Sequence, residues 1–526
     1  MGEPIVTVKQ GKLRGAVLNS SLGCPYIAFK NVPFAAPPVG SLRFKDPQPP
    51  APWTGIRDAT DDTIRSGIQM QEVEPFDIFG TEDCLYLNVY TNSLNQSKPV
   101  MFWVHGGAFI VGGGGFDRAR GDYLLAKDVV VVSTNYRLGA FGFLNLGHRV
   151  ASGNQGLKDL IASLEWVKEN IANFGGDPSN VTIFGLSAGA ALVHALILSP
   201  RTKGLFHKAI LHSGSANCSW CSDQKSVELC FKLAAVLGKD SRDPVEVVEF
   251  LRTVPASDIV RAQQSVLSIE EQVTFQLAFA VNKDDMAENP VLPEKIEQLI
   301  AKCEDIPLIV GCTTEEFIML IKADDDERTK AILNEYLPIH VKNLASLKNL
   351  GEADTKKLLE TVKQRYFGNK PINEVSIREI VAFLSDIYFV IPATMLLEQL
   401  AKRNRAPSYH FRFSYVGNEK TPTDLLTKRS IRGASHTDDS AYLLYLPRCK
   451  VDNPDAPAVG TKDRVTMERM TRMWANFAKT GNPTPTHDEF IQTTWKPVTT
   501  NEFCYLNIGD ELKFLPIPPH IWSSTC

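Results

Sequence analysis

Short, strongly apolar runs recur along the chain at 100–104, 129–134, 181–185, 208–212, 307–311 and 408–415. They read as buried strands, and between them lie stretches with helical periodicity such as 156–172. Strand and helix alternating in this way predict an α/β fold, a doubly wound and mostly parallel sheet flanked by helices. The stretch from Ile5 to Gly15 adds a short N-terminal ribbon. Two long segments, about 223–300 and 322–405, read as helical insertions over the carboxyl edge of the sheet, where they would shape a buried gorge and restrict water.

Chemistry enters where these runs stop. The run Val181 to Phe184 leads into Gly185-Leu186-Ser187-Ala188-Gly189 and then into the helical stretch Ala190 to Leu196. Strand, tight turn and helix with glycine two positions on either side of a serine is what a nucleophile elbow requires, because a Cβ at either glycine would collide with the neighbouring chain. The turn lifts the Ser187 hydroxyl off the sheet, near a helix N-terminus that favours developing negative charge. A second run, Val100 to Val104, ends in His105-Gly106-Gly107-Ala108-Phe109. Small residues let the backbone approach a tetrahedral intermediate, so the N–H groups of Gly107, Ala108 and Ala188 form a candidate three-donor oxyanion hole. His105 reads as a packing or hydrogen-bonding element of that loop. The candidate base is His436, in the polar loop Gly433 to Asp439. The acid should end another strand, and Pro307 to Cys312 runs into Thr313-Thr314-Glu315-Glu316, where either glutamate serves on spacing alone. The order nucleophile, acid, histidine is that of an α/β-hydrolase.

With these motifs in view the chain resembles a type B carboxylesterase of the cholinesterase and carboxylesterase family over nearly its whole length. The segments that carry the resemblance, besides the elbow, are Ala28 to Ala35 with Pro37 to Gly40, Glu82 to Val89, Asn135 to Gly139 and Phe174 to Pro178. Within the family, His212 to Trp220 is most similar to insect alpha-esterases. The resemblance implies an α/β-hydrolase fold and a serine carboxylesterase acting through an acyl-serine, with no cofactor and no metal. It implies Glu316 as the acid, Trp220 as a wall of the acyl pocket, and Leu186 and Phe109 beside the substrate. Small-molecule esters are the implied substrates and organophosphates the covalent inhibitors. Two positions depart from the family pattern. Leu186 stands where glutamate or glutamine is usual, which turns the gorge towards neutral, apolar esters, and Ala108 stands where glycine is common, a mild change because the donor is main chain. Detoxification of xenobiotic or insecticide esters is the leading expectation. A hormone or pheromone esterase, a slow sequestering protein, and a non-catalytic binding protein on the same scaffold are the rivals.

Composition narrows this further. A length of 526 residues suggests ~3–4 domains on average sizes, but candidate catalytic members spread from 107 to 436 must meet in one site, so a single domain over 1–526 is expected. Apolar content of 44%, charged content of 22% and a formal charge of −4 give no support for nucleic-acid binding. No run approaches the roughly 18 continuous apolar residues of a membrane span, so no transmembrane segment is expected. Ten cysteines would allow disulfides, yet residues 61–83 hold none to pair with Cys84 as the family's secreted members do. The second family bridge lacks cysteines near Lys239 and Phe250, and no leader pattern is visible, so an intracellular, reducing location is expected. Cys218 and Cys221 are then ordinary thiols, the sequons at Asn19, Asn95, Asn180 and Asn217 incidental, and Arg137 with Asp159 a structural ion pair by resemblance.

Overall fold

The computed structural model describes residues 3–71, 75–221, 225–320, 326–348, 350–427 and 431–518. Its centre is an eleven-stranded sheet. In chain order the strands are β1 (Ala16–Asn19), β2 (Pro25–Pro33), β3 (Tyr86–Thr91), β4 (Lys98–Val104), β5 (Val130–Thr134), β6 (Gly176–Leu186), β7 (Lys208–His212), β8 (Leu308–Thr313), β9 (Ser408–Phe413), β10 (Cys504–Ile508) and β11 (Leu512–Pro516). Across the sheet they run β11-β10-β9-β8-β7-β6-β4-β5-β3-β2-β1. Every pairing from β10 to β5 is parallel, and the two flanks, β11 on one side and β3-β2-β1 on the other, are antiparallel. The chain therefore has the α/β-hydrolase architecture that its motifs predict. The N-terminal ribbon is present, Ile5–Val8 antiparallel to Gly11–Arg14, with Ile56–Asp58 as a third strand.

Helices cover both faces, which is why the central strands read as continuous apolar runs. Along β4, Val100, Phe102 and Val104 enter one hydrophobic layer and Met101 and Trp103 the other, as strand side chains must alternate. The first layer is capped by α1 (Gln155–Asn170), the helix that follows the elbow, α2 (Ala188–Leu198), and α3 (Ile377–Arg403). The second is capped by α4 (Lys462–Thr480), through Met467, Met470, Trp474 and Phe477. Arg137 and Asp159 form the expected buried ion pair, Nε and Nη2 reaching the carboxylate at 2.8 and 2.6 Å.

The inserted segments are helical as expected. The first holds helices at Ser226–Val236, Pro244–Thr253, Ala256–Ala262, Ile269–Val273 and Ile296–Lys302. The second holds Asp326–Ser346, Glu352–Phe367 and α3. The expected starts at 223 and 322 lie outside the described residues. Helix α3 is 27 residues long and apolar enough to span a bilayer by length and composition. Its most apolar stretch is 83% buried against the rest of the fold, as befits a core helix.

Candidate active site

Four adjacent parallel strands, β4, β6, β7 and β8, deliver their carboxyl ends to one place, the position at which open α/β sheets build sites. Leu186 pairs with His212, and His212 with Gly311, so Ser187 and Ser213 emerge level with one another while β8 runs two residues further, to Thr313. Ser187 follows β6 with φ 59° and ψ −127°, immediately before α2, and is partly exposed. The elbow glycines behave as sterics demand. A Cβ on Gly185 would stand 2.6 Å from the Gly189 carbonyl group, and one on Gly189 2.5 Å from His105 O and closer still to Val104 O. The strain is local and held by the fold: Ser187 N–H donates to His212 O at 2.8 Å, and Ser187 O accepts from Ala191 N–H.

Left-handed backbone gathers around this point. Ala108 (φ 50°), Phe109 (62°), Ser187 (59°), Ser213 (51°) and Thr437 (74°) are all non-glycine residues at positive φ, a conformation that persists only where surroundings impose it. Gly107 has φ 115°, and its carbonyl accepts from both Ile110 and Val111 N–H at 2.9 Å. Neither Gly107 nor Ala108 gives its own N–H to another main-chain carbonyl among the described residues. Ala188, first residue of α2, has no intrahelical acceptor. Three N–H groups are thus available beside Ser187. His105 stacks on Tyr136 at 4.3 Å and places Nδ1 2.8 Å from Gly106 O, while burial pulls its pKa down to about 4 and keeps it neutral. It is a structural member of the loop, as read from sequence.

The two glutamates after β8 point apart. Glu316 Oε2 accepts from His436 Nδ1–H at 2.5 Å, and its Oε1 accepts from Ser213 Oγ–H at 2.6 Å and Thr313 N–H at 2.7 Å. Glu315 instead braces the histidine loop from below: its carboxylate accepts from Ala434 N–H and its N–H donates to Ala434 O. Glu316 and His436 are buried, 1% and 4% exposed. The opposite ring nitrogen, Nε2, has no hydrogen bond to Ser187 Oγ among the described residues, a gap of the kind that free enzymes commonly show before substrate binds.

Ser213, His212 and Asp439 are members that sequence reading missed. Ser213, one residue past β7, links the residue that anchors Ser187 to the carboxylate that holds His436. His212 donates from Nδ1 to Asp439 Oδ2 at 2.6 Å and accepts from the Trp474 indole at 2.8 Å, tying the nucleophile's neighbour to the loop of His436. For His212 and Ser213 the available signal was their position at a strand end, and for Asp439 its place three residues after His436.

Above the triad candidates lies an unbroken aromatic wall. Trp220 is 5.9 Å from Phe389, 6.2 Å from Phe275 and 6.4 Å from Phe109, ring centre to ring centre. Phe317 and Tyr388 continue it, and Phe389 rests on the His436 ring at 4.9 Å. Phe109 and Trp220 are therefore together. Leu186 is not with them: it packs into the opposite layer with Trp103 and Phe184, 7% exposed. Cys218 and Cys221 flank Trp220 as free, buried thiols, the former pushed up to about 12 by burial. No group of metal-holding side chains occurs among the described residues.

Comparison with known proteins bears on the fold and the family. A model of the carboxylesterase family matches residues 2–517. Esterase E4 of Myzus persicae is 34% identical over 532 residues, covering 98% of this chain and 91% of its own. A juvenile hormone esterase of Tribolium castaneum is 32% identical, covering 91% and 84%. The solved juvenile hormone esterase of Manduca sexta, with OTFP covalently attached, superposes with a TM-score of 0.86 at 28% identity, covering 100% of this chain and 98% of its own. The chain belongs to the carboxylesterase family.

Proposed function

We propose that this carboxylic ester hydrolase works through Ser187 as nucleophile, His436 as general base and acid, and Glu316 as the residue that orients and charge-stabilises the imidazole. The observation that carries the assignment is the Glu316 carboxylate, bonded on one oxygen to His436 and on the other to Ser213, next to the residue whose carbonyl holds Ser187. His436 removes the hydroxyl proton as Ser187 Oγ attacks the ester carbonyl, and the N–H groups of Gly107, Ala108 and Ala188 receive the oxyanion. Collapse expels the alcohol, protonated by His436, and leaves an acyl-serine; water activated by the same imidazole then releases the acid. Loss of one oxyanion donor typically costs roughly 2.7–4 kcal/mol of barrier.

Neutral, apolar esters are the substrates that suit this site. Aromatic side chains, Trp220, Phe109, Phe275 and Phe389 among them, form its wall, and none of them carries a charge. The biological role proposed is removal of xenobiotic or insecticide esters in a reducing, intracellular setting, a reading supported by the free thiols of Cys84, Cys218 and Cys221. Organophosphates enter the same path but leave a tetrahedral phosphoserine with no well-placed water, so capture is near-stoichiometric and release very slow. Full recovery of activity within minutes of exposure would overturn that. Cleavage of a hormone or pheromone ester is the second reading, favoured by the likeness to the Manduca sexta enzyme, and competition kinetics between the two substrate classes separates them.

The deciding experiment follows 1-naphthyl butyrate hydrolysis by the wild type and by Ser187→Ala. A burst and turnover that vanish in the variant support the acyl-serine route. Absence of both from folded wild-type protein would favour a binding role.

A further inference from the structure

Helix α3 is not a regular α-helix where it passes the site. Over Asp386–Val390 it takes a π turn, in which Ile391 N–H reaches five residues back to Asp386 O. Such turns disturb the regular pairing of carbonyls with donors. Two residues further on stands Pro392, which has no N–H to give to the carbonyl four positions back, that of Tyr388. That carbonyl is buried and needs a donor. Trp220 Nε1–H supplies one at 3.0 Å, from a different part of the chain. The Trp220 loop is stitched to α3 a second time one helical turn later, where Asn217 Nδ2–H donates to Pro392 O at 2.9 Å. Tyr388 is itself fixed at the far end of its side chain: its hydroxyl donates to Thr274 O at 2.8 Å and lies 2.7 Å from His340 Nδ1.

We propose that Pro392 is a specificity-setting residue: by withholding an N–H from the Tyr388 carbonyl it reserves that acceptor for Trp220 and clamps the indole as a rigid limit on acyl size. This rests on the reading above that Trp220 bounds the acyl side of Ser187. Trp220 is 3% exposed, and a Cβ on Gly214 would stand 3.2 Å from its ring and 3.1 Å from the Ser187 carbonyl carbon, so the ring and the nucleophile flank the same residue. An indole held by one directional bond in one rotamer excludes bulk more sharply than the same ring free to rotate away. Pro392→Ala gives α3 an N–H at position 392 that competes for the Tyr388 carbonyl, while position 392 touches neither substrate nor triad.

The test uses the full-length enzyme with nitrogen-15-labelled tryptophan. The Trp220 indole N–H resonance is identified by its loss in Trp220→Leu, and its exchange with deuterium is compared in wild type and Pro392→Ala. Loss of a hydrogen bond of ordinary strength should speed that exchange by about tenfold. In parallel, kcat/KM is measured for 1-naphthyl acetate and for the branched 1-naphthyl pivalate. Pro392→Ala should raise the pivalate-to-acetate ratio by about tenfold, the size effect of a methylene or two in an apolar pocket, with acetate hydrolysis changed little. Unchanged exchange, or an unchanged ratio in Pro392→Ala where Trp220→Leu shifts it, overturns the clamp alone. An unchanged ratio in Trp220→Leu removes Trp220 from the acyl wall, and the clamp's role in specificity goes with it. If Pro392→Ala does not fold, the benzothiophene analogue of tryptophan at position 220 keeps the ring, lacks the N–H, and must shift the ratio in the same direction for the proposal to stand.

Discussion

Replacement of Glu316 by glutamine changes no volume and one atom, and the surroundings determine which way the new amide faces. Both carboxylate oxygens of Glu316 accept only: Oε2 from His436 Nδ1–H, and Oε1 from Ser213 Oγ–H and Thr313 N–H. An amide NH₂ on the Oε1 side would stand 2.7 Å from the Thr313 N–H, a main-chain donor that cannot reverse. Leaving two buried donors opposed costs about 1–3 kcal/mol. On the Oε2 side the amide meets an imidazole, which can move its proton from Nδ1 to Nε2 at little cost. The amide therefore turns to His436 and fixes the tautomer whose Nε2 carries a proton and cannot accept one from Ser187. In the general serine-hydrolase template that error lowers kcat about 10⁴-fold, or roughly 5.5 kcal/mol of barrier. Stopped-flow release of 1-naphthol from 1-naphthyl butyrate reads both the burst and the steady state. Glu316→Gln should lose about three to four orders of magnitude in each while keeping its thermal midpoint close to wild type. Glu315→Gln, which alters the acceptor shared by Ala434 N–H and Thr314 Oγ1–H and leaves Glu316 in place, should stay within about tenfold of wild type, a loss of at most two loop hydrogen bonds. A Glu316→Gln enzyme within tenfold of wild type, or a Glu315→Gln enzyme that is the more damaged of the two, would refute the assignment of the acid.

Gly189→Ala should fold poorly, because its Cβ meets the carbonyls of Val104 and His105, both main chain; a cost of about 3 kcal/mol appears as a fall in thermal midpoint. Gly351→Ala, at φ −72° with open space around the added carbon, should cost only the loss of a preferred helix N-cap residue, about 1 kcal/mol or less, and equal effects in the two would sink the steric account of the elbow. His194 on α2 accepts from Ala216 N–H at 3.0 Å, and burial pulls its pKa down to about 3 from 6.5. Below pH 6.5 the unfolded chain takes up a proton that the native histidine refuses, so this residue's share of stability falls as pH drops from 6.5 towards 3, by about 1.4 kcal/mol per pH unit. Denaturant unfolding between pH 7 and 5 should therefore show a shallower pH slope in His194→Asn, by close to one proton; parallel slopes would contradict it.

What the sequence made legible is what local sterics and local order determine. The elbow could be read because its two glycines answer to backbone collisions within a few residues, and the oxyanion loop because it too follows a run of five apolar residues. The strands missed are those with polar residues in their interior or at the sheet's antiparallel flanks. β3 contains Asn88, whose amide is buried and bonded to Gly114 O at 2.8 Å, so it has no uninterrupted apolar run. Glu315 against Glu316 was open on spacing, since one position along the chain shifts an acceptor's reach by a few ångströms; the resemblance implied Glu316, and in the structure the two separate because Glu315 meets Ala434 and Glu316 meets His436. Leu186 shows the same limit in reverse. Its neighbour Ser187 opens towards the aromatic wall, and the resemblance implied that Leu186 lies beside the substrate too. At the end of a strand, however, successive side chains face opposite layers, so the residue before the nucleophile belongs to the core with Trp103. Any effect of that position on substrate charge must reach the site through the second layer and the loop that carries His436 rather than by direct contact with the acyl group. Leu186→Glu should therefore disturb stability, by burying an unpaired carboxylate, before it changes substrate preference.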